Sequence, residues 1–191
     1  MPLESLTSVA LGIGLAAATG FRLFLPLLLA GLAARTGFIP LSDGFSWLAS
    51  TPALLMLGTA AVFETLAYYI PGIDHLLDLV AGPLALAAGV IASASVMTDL
   101  DPALMWPIAI IAGGGIAGVT KGSSALVRAK TGLATAGLGN PVVSTFETFS
   151  AFMLSVIAIA LPIVAVITVI ALLVWLTKKF GKLAFSLRRK P

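Results

Sequence analysis

The sequence predicts an all-α, polytopic transmembrane bundle of about six spans, built as two inverted three-helix repeats with re-entrant half-helices. Three observations predict it. First, the 191 residues are 59% hydrophobic and 10% charged, against about 25% charged in a soluble domain, which is too little polar surface to cover a globule. Second, a tripeptide with a carboxylate at its centre occurs twice, as Phe63-Glu64-Thr65 and Phe146-Glu147-Thr148, each time inside an apolar run. A charge at membrane depth costs at least ~2.5 kcal/mol unless paired, hydrated or protonated, so a costly feature used twice points to a duplicated unit with a polar centre. Third, Lys178, Lys179, Lys182, Arg188, Arg189 and Lys190 directly follow the last apolar run, as cations do on the cytoplasmic side of a membrane.

The mean hydropathy of +1.10 and the pI near 9.5 agree with that class. Because the basic residues cluster after a span, they read as a cytoplasmic tail (178–191) over anionic headgroups rather than as a nucleic-acid surface. The absence of cysteine excludes disulfides and thiolate metal sites. His75 is the one histidine, which argues against a transition-metal site, and no cofactor is expected. The N-terminus lacks the basic region and small-residue cleavage site of a signal peptide, so the segment from Leu6 onward is expected to be kept as the first span.

A span needs about 20 apolar residues. Leu6–Ala34 is apolar almost throughout, but as one straight helix it would run ~43 Å, well beyond the ~30 Å hydrocarbon core. Gly20, Arg22 and Pro26 interrupt it, so a break is predicted near Gly20–Arg22 with a re-entrant half-helix over Phe21–Ala34. Such backbone survives at membrane depth only when buried in protein or lining water. Arg35–Ser50 is a polar-leaning connection whose Trp47 suits an interface. Pro52–Ile70 is the second span and carries Glu64. After the Pro71-Gly72 turn, Ile73–Met97 is the third. It opens with Asp74, His75 and Asp78, of which Asp74 and Asp78 share a helix face by their i,i+4 spacing. Those aspartates either satisfy the helix dipole or form a cation or proton entrance.

The loop with Asp99 and Asp101 leads to the fourth span, Ala103–Val119, with its Gly113-Gly114-Gly115 run. Thr120–Asn140 is the most polar internal stretch, with Lys121, Ser123, Ser124, Arg128 and Lys130, and a second half-helix is predicted at Ser123–Thr131. Pro141–Leu161 is the fifth span and carries Glu147, and Pro162–Thr177 is the sixth.

The halves, 6–97 and 103–177 within one transmembrane domain (1–177), align beyond the tripeptide. Gly14-Leu-Ala-Ala-Ala-Thr19-Gly20 resembles Gly115-Ile-Ala-Gly-Val-Thr120-Lys-Gly122, and Arg35-Thr36-Gly37 resembles Lys130-Thr131-Gly132. Three spans per repeat force the second copy to enter the membrane upside down. With both termini cytoplasmic, most positive charge falls inside, and the exceptions, Arg22 and Arg35, are what an inverted copy of the Arg128/Lys130 segment creates. Inverted repeats with broken helices are a transporter signature.

By helical rise Glu64 lies ~18 Å from Pro52 and Glu147 ~9 Å from Pro141. Entering from opposite faces, they reach comparable depth, where two carboxylates can serve a proton- or cation-coupled site. Alternatively each pairs with the Arg of its own repeat, Glu64 with Arg22 and Glu147 with Arg128, as buried structural glue. Arg22 and Arg128 suit an anionic phosphate or carboxylate, which Arg binds bidentately, with helix N-termini near Gly20 and Gly122 adding N–H donors. Ser123 and Ser124 are caps or ligand donors. No nucleophile–base constellation occurs, so no catalytic residue is expected.

The stretches GFRLFLPLLLAGLAARTGFIPL with the following WLAS, FETLAYYIPGIDHLLD, and TKGSSALVRAKTG…GNPVVSTFE together resemble a family of small bacterial membrane proteins known as domain of unknown function 4126. Glu64, Pro71, Asp74, Asp78, Lys121, Arg128, Asn140, Pro141 and Glu147 stand where that family's recurring polar and proline residues are expected. The chain departs from it at Ala67-Tyr68-Tyr69, where a charged Ala-Asp-Lys-like stretch is expected. The resemblance implies a polytopic fold in the bacterial inner membrane and carries no established function.

Sequence alone thus supports a small inner-membrane transporter or channel-like protein for an anionic small molecule or lipid phosphate, moved with proton coupling. Its polar centre is Arg22, Glu64, Arg128 and Glu147, flanked by Asp74, Asp78, Lys121, Ser123, Ser124 and Asn140. Six short spans enclose little volume, which favours a homodimer in the bilayer. The runner-up is a non-transporting scaffold whose ion pairs hold the bundle. A lipid-modifying enzyme comes third, with Ser123 and Ser124 its only candidates.

Overall fold

The computed structural model describes residues 3–70 and 72–187, without the side chains of His75 and of residues 175–187. Among the described residues all regular structure is helical. Helix α1 is Leu3–Thr19, α2 Phe24–Arg35, α3 Thr51–Ala67, α4 Ile73–Ala94, α5 Pro102–Ile108, α6 Gly115–Thr135, α7 Asn140–Ala160 and α8 Pro162–Leu187. A six-residue π-helical stretch, Ala109–Gly114, joins α5 to α6. The run Pro102–Thr135 is therefore one continuous 34-residue helix.

Leu76–Ala94, Pro102–Thr135 and Asn140–Ala160 are long and apolar enough to cross a membrane, and Leu3–Thr19, Phe24–Arg35, Thr51–Ala67 and Pro162–Val174 are shorter apolar helices. The outer surface fits that reading. Side chains such as Leu133 (89% exposed) and Ile111 (76%) face outward in a pattern that suits lipid rather than water.

Helix α1 sits at the centre, packed against α2, α4, α6, α7 and α8. Its small residues permit this. A Cβ at Gly14 would come within 2.7 Å of the Ala158 Cβ, and one at Gly20 within 2.5 Å of the Thr120 Cβ and 2.6 Å of the Ala117 carbonyl oxygen. Helices without a hydrophobic drive between them associate through such close backbone approaches. The expected break falls where Gly20 and Arg22 placed it. The last turn of α1 tightens through bonds from Gly20 N to Ala17 O and from Phe21 N to Ala18 O, and α2 restarts at Phe24. Pro26 lies in the first turn of α2, where its missing N–H costs nothing.

The starts of α3 and α5 follow capping rules. Ser50 accepts from Ala53 N at 3.3 Å and Asp101 from Ala103 N at 2.8 Å, each with a proline following the cap. Pro107 precedes the π-helical stretch, the sort of ladder defect that produces such bulges.

Two sequence expectations are corrected. No half-helix forms at Ser123–Thr131. Helix α6 runs through it unbroken, because Lys121, Ser124 and Arg128 lie at i, i+3 and i+7, one helix face, and that face is buried. The polar stretch Thr120–Asn140 is consequently not a separate connection but a continuation of the fourth span up to Thr135. Helix α8 runs to Leu187, so the segment expected as a cytoplasmic tail begins as helix; Arg188, Arg189 and Lys190 lie outside the described residues.

Candidate functional site

The break between α1 and α2 leaves the first N–H groups of α2 without helical acceptors, and Leu23, at the N-cap, supplies no side-chain bond. Glu64, on α3, fills that gap. Its Oε1 accepts from Leu23 N at 2.9 Å and its Oε2 from Phe24 N at 3.3 Å. A carboxylate at a helix N-terminus is favoured by both the free donors and the dipole. The predicted Glu64–Arg22 pair is therefore replaced by a carboxylate cap, because unbonded backbone donors lie closer to Glu64 than the guanidinium does.

Arg22, 1% exposed, crosses instead to the other half of the chain. Its Nε donates to Thr148 Oγ1 at 2.9 Å, and its Nη2 donates to Ser144 O at 2.9 Å and to Ser144 Oγ. The same Nη2 lies 3.7 Å from Glu147 Oε2. Glu147 is held mainly from α6. Arg128 Nη2 bonds to its Oε2 and Ser124 Oγ donates to its Oε1, so the predicted Glu147–Arg128 pair forms. Both arginines thus converge on one carboxylate oxygen.

Tyr68, at the end of α3, stands between the charges. The Arg22 and Arg128 guanidinium carbons lie 4.4 Å and 4.3 Å from its ring centre, within the range of cation–π attraction. Its hydroxyl donates to Asp78 Oδ1 at 3.0 Å and accepts from Lys121 Nζ at 2.9 Å. Lys121 also reaches Asp78 Oδ1 at 2.9 Å, and Arg128 Nε lies 3.3 Å from Asp78 Oδ2. Three cations (Arg22, Lys121, Arg128) and three carboxylates (Glu64, Asp78, Glu147) thus make up a charge-balanced centre. Three guanidinium nitrogens are buried without a hydrogen bond: Arg128 Nε, which has only its ion pair with Asp78, and two donors left over altogether, the Nη1 groups of Arg22 and of Arg128.

Each tripeptide copy also lines its own apolar cleft. Phe63 and Glu64 border one of about 340 Å³ between α2, α3 and α4. Phe146 and Glu147, with Ser123, Ser124 and Phe21, border one of about 190 Å³. Ser123 contributes to that cleft and caps nothing, since it lies mid-helix. Asp74 and Asn140 bond to each other. Asn140 Nδ2 donates to Asp74 Oδ2 at 2.7 Å, and Asp74 Oδ1 accepts from Gly72 N at 2.9 Å. Of the i,i+4 pair, Asp74 bonds to Asn140 and Gly72, and Asp78 to Tyr68, Lys121 and Arg128. His75 lies on α4 with its side chain outside the described residues.

Sequence reasoning missed Tyr68, Ser144 and Thr148. The latter two were legible in principle, because Ser144, Glu147 and Thr148 stand at i, i+3 and i+4 and share a face.

A family model described as a domain of unknown function (DUF4126) matches residues 9–180. That covers most of the chain, so the protein belongs to this family, as the three quoted stretches had indicated. No curated protein and no solved structure matches it.

Proposed function

We propose that this member of the DUF4126 family is a small inner-membrane transporter that moves an anionic small molecule or a lipid phosphate together with a proton. The observation that carries the reading is the pair of leftover donors, Nη1 of Arg22 and Nη1 of Arg128, on two buried guanidinium groups that already share Glu147 Oε2. A buried donor without an acceptor is costly. An oxyanion accepting from both arginines would satisfy them in the geometry guanidinium groups favour.

Proton coupling follows from charge. Three cations already face three carboxylates, so an added anion leaves a net negative charge at membrane depth, where charge is expensive. A proton on one carboxylate removes that charge. Glu147 is the carboxylate placed for it, because both arginines touch it and an incoming anion competes for them. In this mechanism the anion takes Arg22 and Arg128, Glu147 takes the proton, and both leave on the opposite side.

The architecture proposed is six spans in two inverted repeats, with both termini cytoplasmic. Support comes from the shared order of elements, from the twin clefts at Glu64 and Glu147, and from the crossing of the aligned segments at Gly20 and Thr120. Binding near the midplane where repeats meet is the transporter arrangement. A homodimer would supply the volume one copy lacks. The chain's lack of cysteine makes the topology directly testable by labelling single introduced cysteines from either side.

The alternative is a non-transporting scaffold, favoured by one observation. Asp78 joins Tyr68, Lys121 and Arg128, and so ties α3, α4 and α6 together. The two readings separate in proteoliposomes carrying an internal pH dye, challenged with inorganic phosphate, acetate or a short-chain phosphatidic acid. Transport predicts anion-dependent acidification that Glu147→Gln abolishes while the helical content is kept. A scaffold predicts no acidification beyond that of protein-free liposomes, which acetate alone acidifies by passive entry of acetic acid.

A further inference from the structure

The cleft beside Glu147 carries hydroxyl groups that the fold does not use. It encloses about 190 Å³ between α6, α7 and Leu172 of α8, and Thr120, Ser123, Ser124 and Ser150 border it together with Glu147. Helical hydroxyls such as those of Thr65, Thr145, Thr148, Ser155 and Thr168 bond back to the carbonyl one turn before them, the usual way a hydroxyl is satisfied inside a helix. Ser124 spends its hydroxyl on Glu147. The hydroxyls of Thr120, Ser123 and Ser150 do neither: among the described residues they have no hydrogen-bond partner.

Thr120 is 2% exposed, and Ser123 and Ser150 are half-buried. An unpaired hydroxyl in apolar surroundings is costly, and water suits all three, since a hydroxyl both donates and accepts. The cleft has room for several waters at ~30 Å³ each. Among the described residues no cation lines it, so an anion is not the ligand it suits. The ionisable groups that face Glu147 are Arg128 from α6 and Arg22 from the α1–α2 break. Behind Arg128 stand Asp78, Lys121 and Tyr68, and Glu64 is held at the start of α2. The described side chains of α8 add none. Of all these, Glu147 alone borders the cleft.

We propose that this cleft is a water-filled proton entrance through which Glu147 gains and loses its proton, the waters being held by the hydroxyls of Thr120, Ser123 and Ser150. Val143, which also borders the cleft, stands in the first turn of α7, so the entrance extends toward the α6–α7 turn, the cytoplasmic end on the proposed topology. The inference rests on the reading of Glu147 as the proton carrier and adds the route to it. It keeps the two ligands apart: the anion meets the arginines, and the proton arrives past hydroxyls that bond to neither of them.

The chain has no cysteine, so Ser123→Cys and Ser150→Cys each place a single thiol in the cleft, at positions where the lost hydroxyl held nothing. The full chain in nanodiscs is treated with a hydrophilic, positively charged methanethiosulfonate. Both thiols are expected to react at least about tenfold faster than that of Phe149→Cys, because the reactive thiolate forms in water and is disfavoured in apolar surroundings. Phe149 is the control because it is 61% exposed on the outer surface of the same helix. The second measurement is the infrared band of protonated Glu147, identified by its loss in Glu147→Gln and followed after a jump to low pH with no anion added. Capping the Ser123→Cys thiol with a bulky neutral reagent should slow the appearance of that band severalfold. Unreactive thiols at both positions would overturn the proposal, and so would a band that appears at the same rate with the cleft capped. In that second case Glu147 takes its proton by another route and the carrier reading stands. A band absent at every pH removes that reading, and the entrance with it.

Discussion

Glu64 and Glu147 stand in the same tripeptide, on apolar helices, facing helices whose sequences align, yet they hold different things. Glu64 faces a helix that is broken, and it takes the backbone donors the break exposes, Leu23 N and Phe24 N. Glu147 faces a helix that runs on, and an unbroken helix has no free N–H to offer. Side chains supply the donors instead, from Ser124, Arg128 and Arg22. Each carboxylate takes the donors its neighbours leave unsatisfied, so one motif becomes a helix cap in the first half of the chain and an ion pair in the second. Glycine sets which happens. Gly20 is pressed against Thr120 and Ala117, whereas its counterpart Gly122 has open space where a Cβ would go.

Glu147→Ala is the strongest blow to this contrast. It leaves Arg128 and Arg22 buried without their shared acceptor, and removing one partner of a buried pair costs about 3–5 kcal/mol. Chemical unfolding in detergent should show a loss of that size, and a loss below about 1 kcal/mol would mean the pair holds nothing. Gly20→Ala comes next. Its methyl would meet the Thr120 Cβ and the Ala117 carbonyl, and overpacking of this kind costs about 1–3 kcal/mol, read as a lowered unfolding midpoint. Glu64→Gln should cost about 1 kcal/mol, since the amide oxygen still accepts one backbone N–H while the charge at the helix N-terminus is lost. Equal losses for Glu64→Gln and Glu147→Ala would erase the distinction between cap and ion pair. Gly122→Ala, the mirror of the Gly20 change, should be neutral or stabilise by up to about 1 kcal/mol through helix propensity; destabilisation there would mean that α6 breaks as α1 does.

Much of this was legible in the sequence. Composition and apolar run lengths pointed to helices that suit a bilayer, and the excess length of Leu6–Ala34 located the break at Gly20–Arg22. The Phe-Glu-Thr repeat located both carboxylates, and Arg128 was paired correctly because its partner is packed on the adjacent helix. The pairing of Arg22 was not legible. Its partners Ser144, Glu147 and Thr148 lie more than 120 positions away, and only the packing of α1 and α2 against α7 brings them together. The half-helix expected at Ser123–Thr131 failed for a different reason. Polar residues were read as a break, whereas the spacing of Lys121, Ser124 and Arg128 marked a single buried face of a continuous helix. Tyr68 carried no charge and so no signal, although it sits between both arginines.

The claim that Glu147 exchanges its proton while Glu64 stays a cap is tested most directly by infrared difference spectroscopy of the protein in nanodiscs as inorganic phosphate is added. The account predicts that a protonated-carboxyl band appears with the anion, persists in Glu64→Gln and vanishes in Glu147→Gln. A band that survives Glu147→Gln and vanishes in Glu64→Gln would contradict it.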